Sequence, residues 1–269
     1  MHAAPLGPQQ NYLLAALGRN SFRRVVSHLD LVSLALGEVL YLSCGPMSHA
    51  YFPVDCIIAN LYVTETGASA ESAVVGNDGM LGIGLLMGGK TTTRSAVVVS
   101  AGFAYRLPAK AMMCEFNIHD DFLELLLRYT HAVITQIEQT AVCNRHHSID
   151  QQLCRWLLLA LDRLPGNKLF MTQELIASML GVRREGVTDA AGKLQRLGVI
   201  SYCRGHIAVL DRPALERLCC ECYSVVKNEA DRLLPTRAPT PTIRKVSDRQ
   251  YAPVASLPST MASSITRLR

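Results

Sequence analysis

The sequence has no long apolar run, no framed cysteine pattern and no glycine-rich phosphate loop, and each absence removes a class of function. Its apolar stretches are short, such as Trp156 to Leu161 and Val97 to Val99, and none approaches the ~18–20 uninterrupted residues of a membrane-spanning helix. Met1 to Gln10 holds no cationic segment leading into an apolar one, so no export signal is expected and the chain reads as cytoplasmic, with no membrane partner. Nine cysteines, scattered from Cys44 to Cys222, make an odd count; in that compartment they are expected as reduced thiols, not a disulfide framework. The densest group, Cys219, Cys220 and Cys222, has no spaced histidine or second cysteine pair close by in sequence. Small buried side chains are expected there, and a metal site is not. Cys143 with His146 and His147 lacks the frame of a nucleophile and its base and reads as polar residues at a helix junction. No nucleophile elbow, haem-attachment motif or motif-framed pair of acids occurs, so neither an enzyme nor a resident cofactor is expected.

What is present builds a folded protein. The chain has 269 residues, 49% hydrophobic and 18% charged, enough for one large or two modest domains with a real core. Its net charge of +5 tempts a nucleic-acid reading, but the charge is unevenly placed. Residues 1–120 carry 7 basic and 8 acidic groups, residues 121–234 carry 14 and 13, and residues 235–269 carry 6 and 1. The excess therefore sits in a Pro-, Thr-, Ser- and Ala-rich tail over 235–269 that is expected to be disordered. Any argument for DNA must come from a local motif.

Residues 11–29 place Leu13, Leu14, Leu17, Val25, Val26 and Leu29 on one side of one or two short helices. From Leu31 to about Leu107, short Val-, Ile-, Leu- and Tyr-rich runs are broken by glycines such as Gly37, Gly45, Gly67, Gly76, Gly79 and Gly102, the spacing of a compact all-β unit. Met80 to Gly89 interrupts that rhythm and has room for a short helix. Over 119–144, Leu123, Leu126, Thr130, Val133, Ile137, Thr140 and Asn144 recur at alternating spacings of three and four. That is either a seam pairing with another helix or an ordinary core face. Ser148 suits the N-cap of a further helix running to Leu164.

Met171 to Ile200 carries the most information. Thr172 can cap a short helix with apolar Leu175, Ile176, Met179 and Leu180; Gly181 supplies a tight turn; Val187, Ala190, Ala191, Leu194 and Leu197 stripe a second helix. This is helix-turn-helix spacing. Arg183, Arg184, Glu185, Thr188 and Lys193 lie on or near the face opposite the stripe. Long donors at a helix start suit a major groove, because arginine can bond guanine O6 and N7 together and glutamate can accept from cytosine N4. Val199 to Tyr202 and His206 to Leu210, around Arg204-Gly205, read as a hairpin wing.

This order of parts resembles the Crp/Fnr family of bacterial transcription regulators over roughly residues 11 to 225, most specifically at Gly181-Val182-Arg183-Arg184-Glu185-Gly186-Val187. The resemblance implies an α+β chain. Its parts would be a jelly-roll-like β-roll sensor domain over 11–118, a dimerisation helix over 119–147 and a winged helix-turn-helix over 148–225. It further implies that Arg184 and Glu185 match the pair that reads base edges; Arg204, His206 and Lys193 are expected to touch phosphates. Two positions depart from the family: Asp189 stands where many members carry a further arginine, and Arg183 stands at the usual Ser or Thr cap. In the sensor, Arg94-Ser95 sits where cyclic-nucleotide binders hold the phosphate. The acid that would bind the ribose is missing, because that stretch reads Gly82-Ile83-Gly84-Leu85. With no cysteine in residues 1–30, the family's N-terminal iron–sulfur cluster is not expected either.

The expected function is a homodimeric transcription regulator reading a near-palindromic operator on double-stranded DNA, with RNA polymerase as a partner if it activates. An unidentified effector would occupy a pocket at Gly82, Ile83, Gly84, Arg94 and Ser95. The alternative is a ligand-binding regulatory module in which the helix-turn-helix only packs. Three long charged side chains at one helix start favour the first.

Overall fold

A computed structural model describes residues 6–164 and 166–234; the basic tail expected over 235–269 lies outside the described residues. Two short helices, α1 (Tyr12–Ala15) and α2 (Arg19–Val26), open the chain. The fully buried Asn11 fixes them: its Oδ1 accepts from the Leu13 and Leu14 N–H groups, and its amide donates to Pro53 O at 2.9 Å and Gly79 O at 2.8 Å. A side chain with every polar atom satisfied inside the core specifies one docking geometry.

The β-unit follows, with β1 (Asp30–Leu34), β2 (Val39–Tyr41), β3 (His49–Pro53), β4 (Ile57–Val63), β5 (Ser69–Val75), β6 (Ser95–Ser100) and β7 (Gly102–Pro108). These form two antiparallel sheets, in the orders β1-β7-β3 and β2-β6-β4-β5. Pairing of Asp30 with Arg106 and Leu34 with Gly102 closes the roll across its full sequence length. The interruption after Met80 is one turn of 3-10 helix, Ile83–Leu85. Ile58, Val98, Phe52 and Leu107, all buried, fill the interior with the apolar faces of both sheets.

Helix α3 (Ala109–Phe116), too short to show a clear period in the sequence, leads into the 26-residue α4 (Asp121–His146). Asp120 caps α4 and, with Glu115, pairs with Arg24 of α2. Leu126, Thr130, Val133 and Thr140 of the expected seam are buried within their own chain, whereas Asn144 is exposed. The solvent side of α4 carries a different stripe: Leu127 is 57% exposed and Ile134 44%, and Val142 lies beyond them. Periodicity locates the helix correctly but cannot say which side the roll takes.

Helix α5 (Ile149–Leu161) starts with a full capping box, in which Ser148 and Gln151 bond each other's backbone. A short strand β8 (Lys168–Phe170) precedes α6 (Gln173–Leu180) and α7 (Arg184–Arg196), and the hairpin β9 (Ile200–Cys203) and β10 (His206–Val209) joins it in the order β8-β10-β9. Helices α8 (Arg212–Leu218) and α9 (Cys222–Leu233) return the chain to α4. The α+β class and the sequence of parts are those expected.

The helix-turn-helix sits directly on the roll. Ser69 Oγ donates to Ser178 O at 3.1 Å, and the turn residue Gly181 faces Ala70. Beneath this contact, Trp156 Nε1 donates to the buried Glu71 carboxylate at 2.9 Å. Burial pushes the Glu71 carboxyl up to about 7, against the Trp156 hydrogen bond and the charges of Arg155 and Arg163. Its folded value thus stands above the ordinary 4.5, and the sign follows. Glu71 contributes stability that is complete below that ordinary value and is lost as pH rises through about 7, by up to ~3 kcal/mol. Between pH 5 and pH 8 the native protein should therefore lose stability relative to Glu71→Gln in urea denaturation followed by Trp156, the sole tryptophan. Parallel pH profiles for the two proteins would refute a buried, proton-holding Glu71.

Candidate nucleic-acid interface and ligand pocket

The helix-turn-helix is built by three short-range devices. Thr172 caps α6, its side chain accepting from the Leu175 N–H at 3.2 Å. Gly181 ends that helix at φ +67 with its N–H on Ala177 O; only a residue without a Cβ takes this conformation at no cost. Val187, Ala190, Ala191 and Leu194 then bury one side of α7 completely. The opposite side necessarily faces solvent.

On that side Arg183, Arg184, Glu185 and Thr188 are all exposed. Arg183 occupies the N-cap without a side-chain capping bond, so the first amides of α7 stay available to an anion. Arg184 and Thr188 lie one turn apart, and the Thr188 hydroxyl is held by Gln173 Oε1 at 2.9 Å and Arg184 O at 3.0 Å. Lys193 is placed elsewhere. Nine residues beyond Arg184, it points roughly half a turn away, and its ammonium pairs with Asp150 at 2.9 Å.

The wing is a two-residue turn, since His206 pairs with Cys203 across Arg204 and Gly205. Both turn residues have positive φ, +48 and +83, the geometry whose twist matches a hairpin. Arg204 is thereby held out into solvent, while His206 stacks edge-on against Phe170 at 4.9 Å between ring centres. A surface groove unites Arg184 and Arg204 with Thr172, Gln173 and Glu174 at the start of α6 and with Tyr202. Burial raises the Tyr202 hydroxyl to about 12, opposed by the Arg184 charge; it donates to Met171 O at 2.8 Å. Sequence reasoning misses Gln173 and Tyr202, although the cap at Thr172 marks the first of these neighbourhoods.

A second concavity, of about 220 Å³, lies inside the roll against α4. Gly82, Ile83, Gly84 and Arg94 line it together with Asn60, Tyr62, Thr91, Thr92, Thr93 and Tyr129. Ser95 opens β6 opposite Leu61 and is not among the lining residues. Among the described residues of the lining, Arg94 is the one cation and there is no acid. Tyr62 Oη and Thr93 Oγ1 share a hydrogen bond at 2.8 Å, and the Arg94 backbone N–H donates to Thr92 Oγ1 at 3.1 Å.

Comparison with known proteins points to both halves. Residues 151–218 match the family model of the Crp-like helix-turn-helix domain. FixK2 from Bradyrhizobium japonicum superposes with a TM-score of 0.60 at 17% identity, over 71% of this chain and 98% of that one. A Crp/Fnr-family transcriptional regulator from Thermus thermophilus gives 0.57 at 23% identity, over 70% and 97%. The global regulator CLP of Xanthomonas campestris, described as c-di-GMP responsive, gives 0.58 at 13% identity, over 71% and 99%. No curated protein matches the sequence.

Proposed function

We infer that this chain, a Crp/Fnr-family transcription regulator with a Crp-like helix-turn-helix, works as a homodimer that sets two α7 helices into successive major grooves of a near-palindromic operator. The observation that carries this reading is the exposed start of α7. Arg184 and Glu185 stand free of intramolecular ion pairs among the described residues, with Arg204 across the same groove. Base readout falls to Arg184 and Glu185. Phosphate contact falls to Arg183, Arg204, Thr188 and the α6 N-terminus, with His206 supporting the wing; Lys193 would join only by leaving Asp150. Selection from random duplexes with the purified full chain, under a salt titration, tests this: a two-half-site consensus with centres about one turn, ~34 Å, apart is expected. A single half-site or no consensus would overturn it.

In this reading the sensor spans 11–118, the dimer helix 119–147 and the reading head 148–225. In the dimer, the second copy meets the exposed Leu127 and Ile134 stripe of α4, because the residues one step round are already covered by their own roll. The pocket beside Arg94 takes an anionic effector whose remaining surface is apolar or hydroxyl-bonding. It lacks the carboxylate that would pair with ribose hydroxyls, and leaving those unpaired costs about 1–3 kcal/mol each. Calorimetry should detect no micromolar binding of cyclic AMP; micromolar binding abolished by Arg94→Ala would show that the pocket does serve that ligand.

A further inference from the structure

Two segments far apart in sequence meet at the C-terminal end of α4. The last turn of α4 supplies Cys143, and His147 follows as its C-cap; the α8–α9 junction supplies Cys220 and Cys222. The four ligand atoms all lie within 4.8 Å of one another. Cys143 Sγ stands 3.6 Å from Cys220 Sγ, and Cys222 Sγ stands 3.5 Å from His147 Nδ1. Zn–S bonds of about 2.3 Å and Zn–N bonds of about 2.0–2.1 Å in a tetrahedron require S···S edges of about 3.8 Å and S···N edges of about 3.6 Å. These two separations are close to the corresponding edges, and the remaining ones stay within 4.8 Å. We propose that Cys143, His147, Cys220 and Cys222 bind one structural zinc ion that fastens the end of α4 to the C-terminal helices.

Three surrounding features support a metal over a cluster of idle thiols. First, the His147 ring is already oriented for it: Nε2 faces Glu221 Oε1 at 3.3 Å, leaving Nδ1 toward the cysteines. A carboxylate behind a metal-bound imidazole fixes its tautomer and raises its basicity. The Gln152 amide donates to His147 O at 3.0 Å, holding the backbone of that ligand in place. Second, three thiolates around a dication leave one negative charge in the interior, which needs a nearby cation. Arg155 is 2% exposed, its Nε has no hydrogen-bond partner and its Nη1 donates to Thr140 Oγ1 at 3.0 Å; its charge acts on Cys143 as well as on Glu71. Third, the site is closed. The three cysteines are buried and His147 is 15% exposed, so four protein ligands fill a tetrahedron with no position for water or substrate. Soft thiolate donors with one imidazole select zinc over the hard oxygen-seeking cations. On binding, the three thiol protons pass to solvent and no redox partner is needed.

The inference is independent of the DNA reading and is tested without DNA. The full chain, purified under reducing conditions without chelator, should carry close to one zinc per chain by elemental mass spectrometry. Cobalt added to the metal-stripped protein should give the intense visible bands of a tetrahedral thiolate site. Cys222→Ser and His147→Gln should each lose the metal to a chelator that the native chain and Cys219→Ser resist. Folding is monitored by far-ultraviolet circular dichroism; His147→Gln, partly exposed, guards against collapse of the cysteine variants, and a shifted cobalt spectrum in it would identify the lost nitrogen ligand. A native chain that holds no zinc after loading and desalting overturns the proposal. So does a metal lost equally from Cys219→Ser, or a Cys143–Cys220 disulfide as the native state.

Discussion

A chain carrying both Leu127→Glu and Ile134→Glu should sediment as a monomer and bind a palindromic operator at least about 100-fold more weakly, because one linked half of the contact is lost. Both positions are solvent-exposed in the single chain, so its own stability should hardly change. In a symmetric dimer each carboxylate would be buried against its copy near the axis, where an unpaired charge is costly. Analytical ultracentrifugation and half-site against full-site titrations separate the two effects. A dimer that survives both substitutions would place the seam elsewhere, on a face that the roll now covers.

Arg184→Ala should lose about 1–3 kcal/mol of operator affinity and blur the selected base at one position of each half-site. The side chain is exposed at the first turn of α7 and makes no ion pair among the described residues. Lys193→Ala serves as the contrast. Its partner Asp150 already holds it, so removing it should leave the consensus unchanged and weaken all sequences alike, lowering the salt slope by about one only if the ammonium transfers to a phosphate. If Arg184→Ala selects the same site with the same affinity, α7 does not read bases in the way described.

Local chemistry is legible in the sequence, and long-range packing is not. Ser148, Thr172 and Gly181 each announce a helix boundary because the group that caps or turns the chain lies within three or four residues of what it satisfies. The heptad spacing in α4 reports a helix with an apolar side. The neighbour is the chain's own roll, however, and Leu126 and Val133 are taken up by it, which no spacing within α4 can reveal. Arg94 stands out from its local frame, but Asn60 and Tyr62 of β4 and Tyr129 of α4 come to the same pocket from parts of the chain about 30 residues away. The cysteine group shows the limit most clearly. Cys220 and Cys222 look solitary until the return of α9 to α4 brings Cys143 and His147 beside them. Short elements such as β8 have too few residues to show a period at all.

The seat of the reading head on β5 bears on how a ligand signal would travel. Tyr62, in the pocket wall, is the ladder partner of Ala70, and Ala70 is the residue against which Gly181 turns. One strand spacing, about 4.7–4.9 Å, and one van der Waals contact therefore separate a ligand from the bend between α6 and α7. Movement in the pocket would have an intramolecular route to the α6–α7 bend that need not cross the two-fold axis of the proposed dimer. A chain held monomeric by the α4 substitutions should then keep its effector response in half-site binding while losing only the cooperativity between halves.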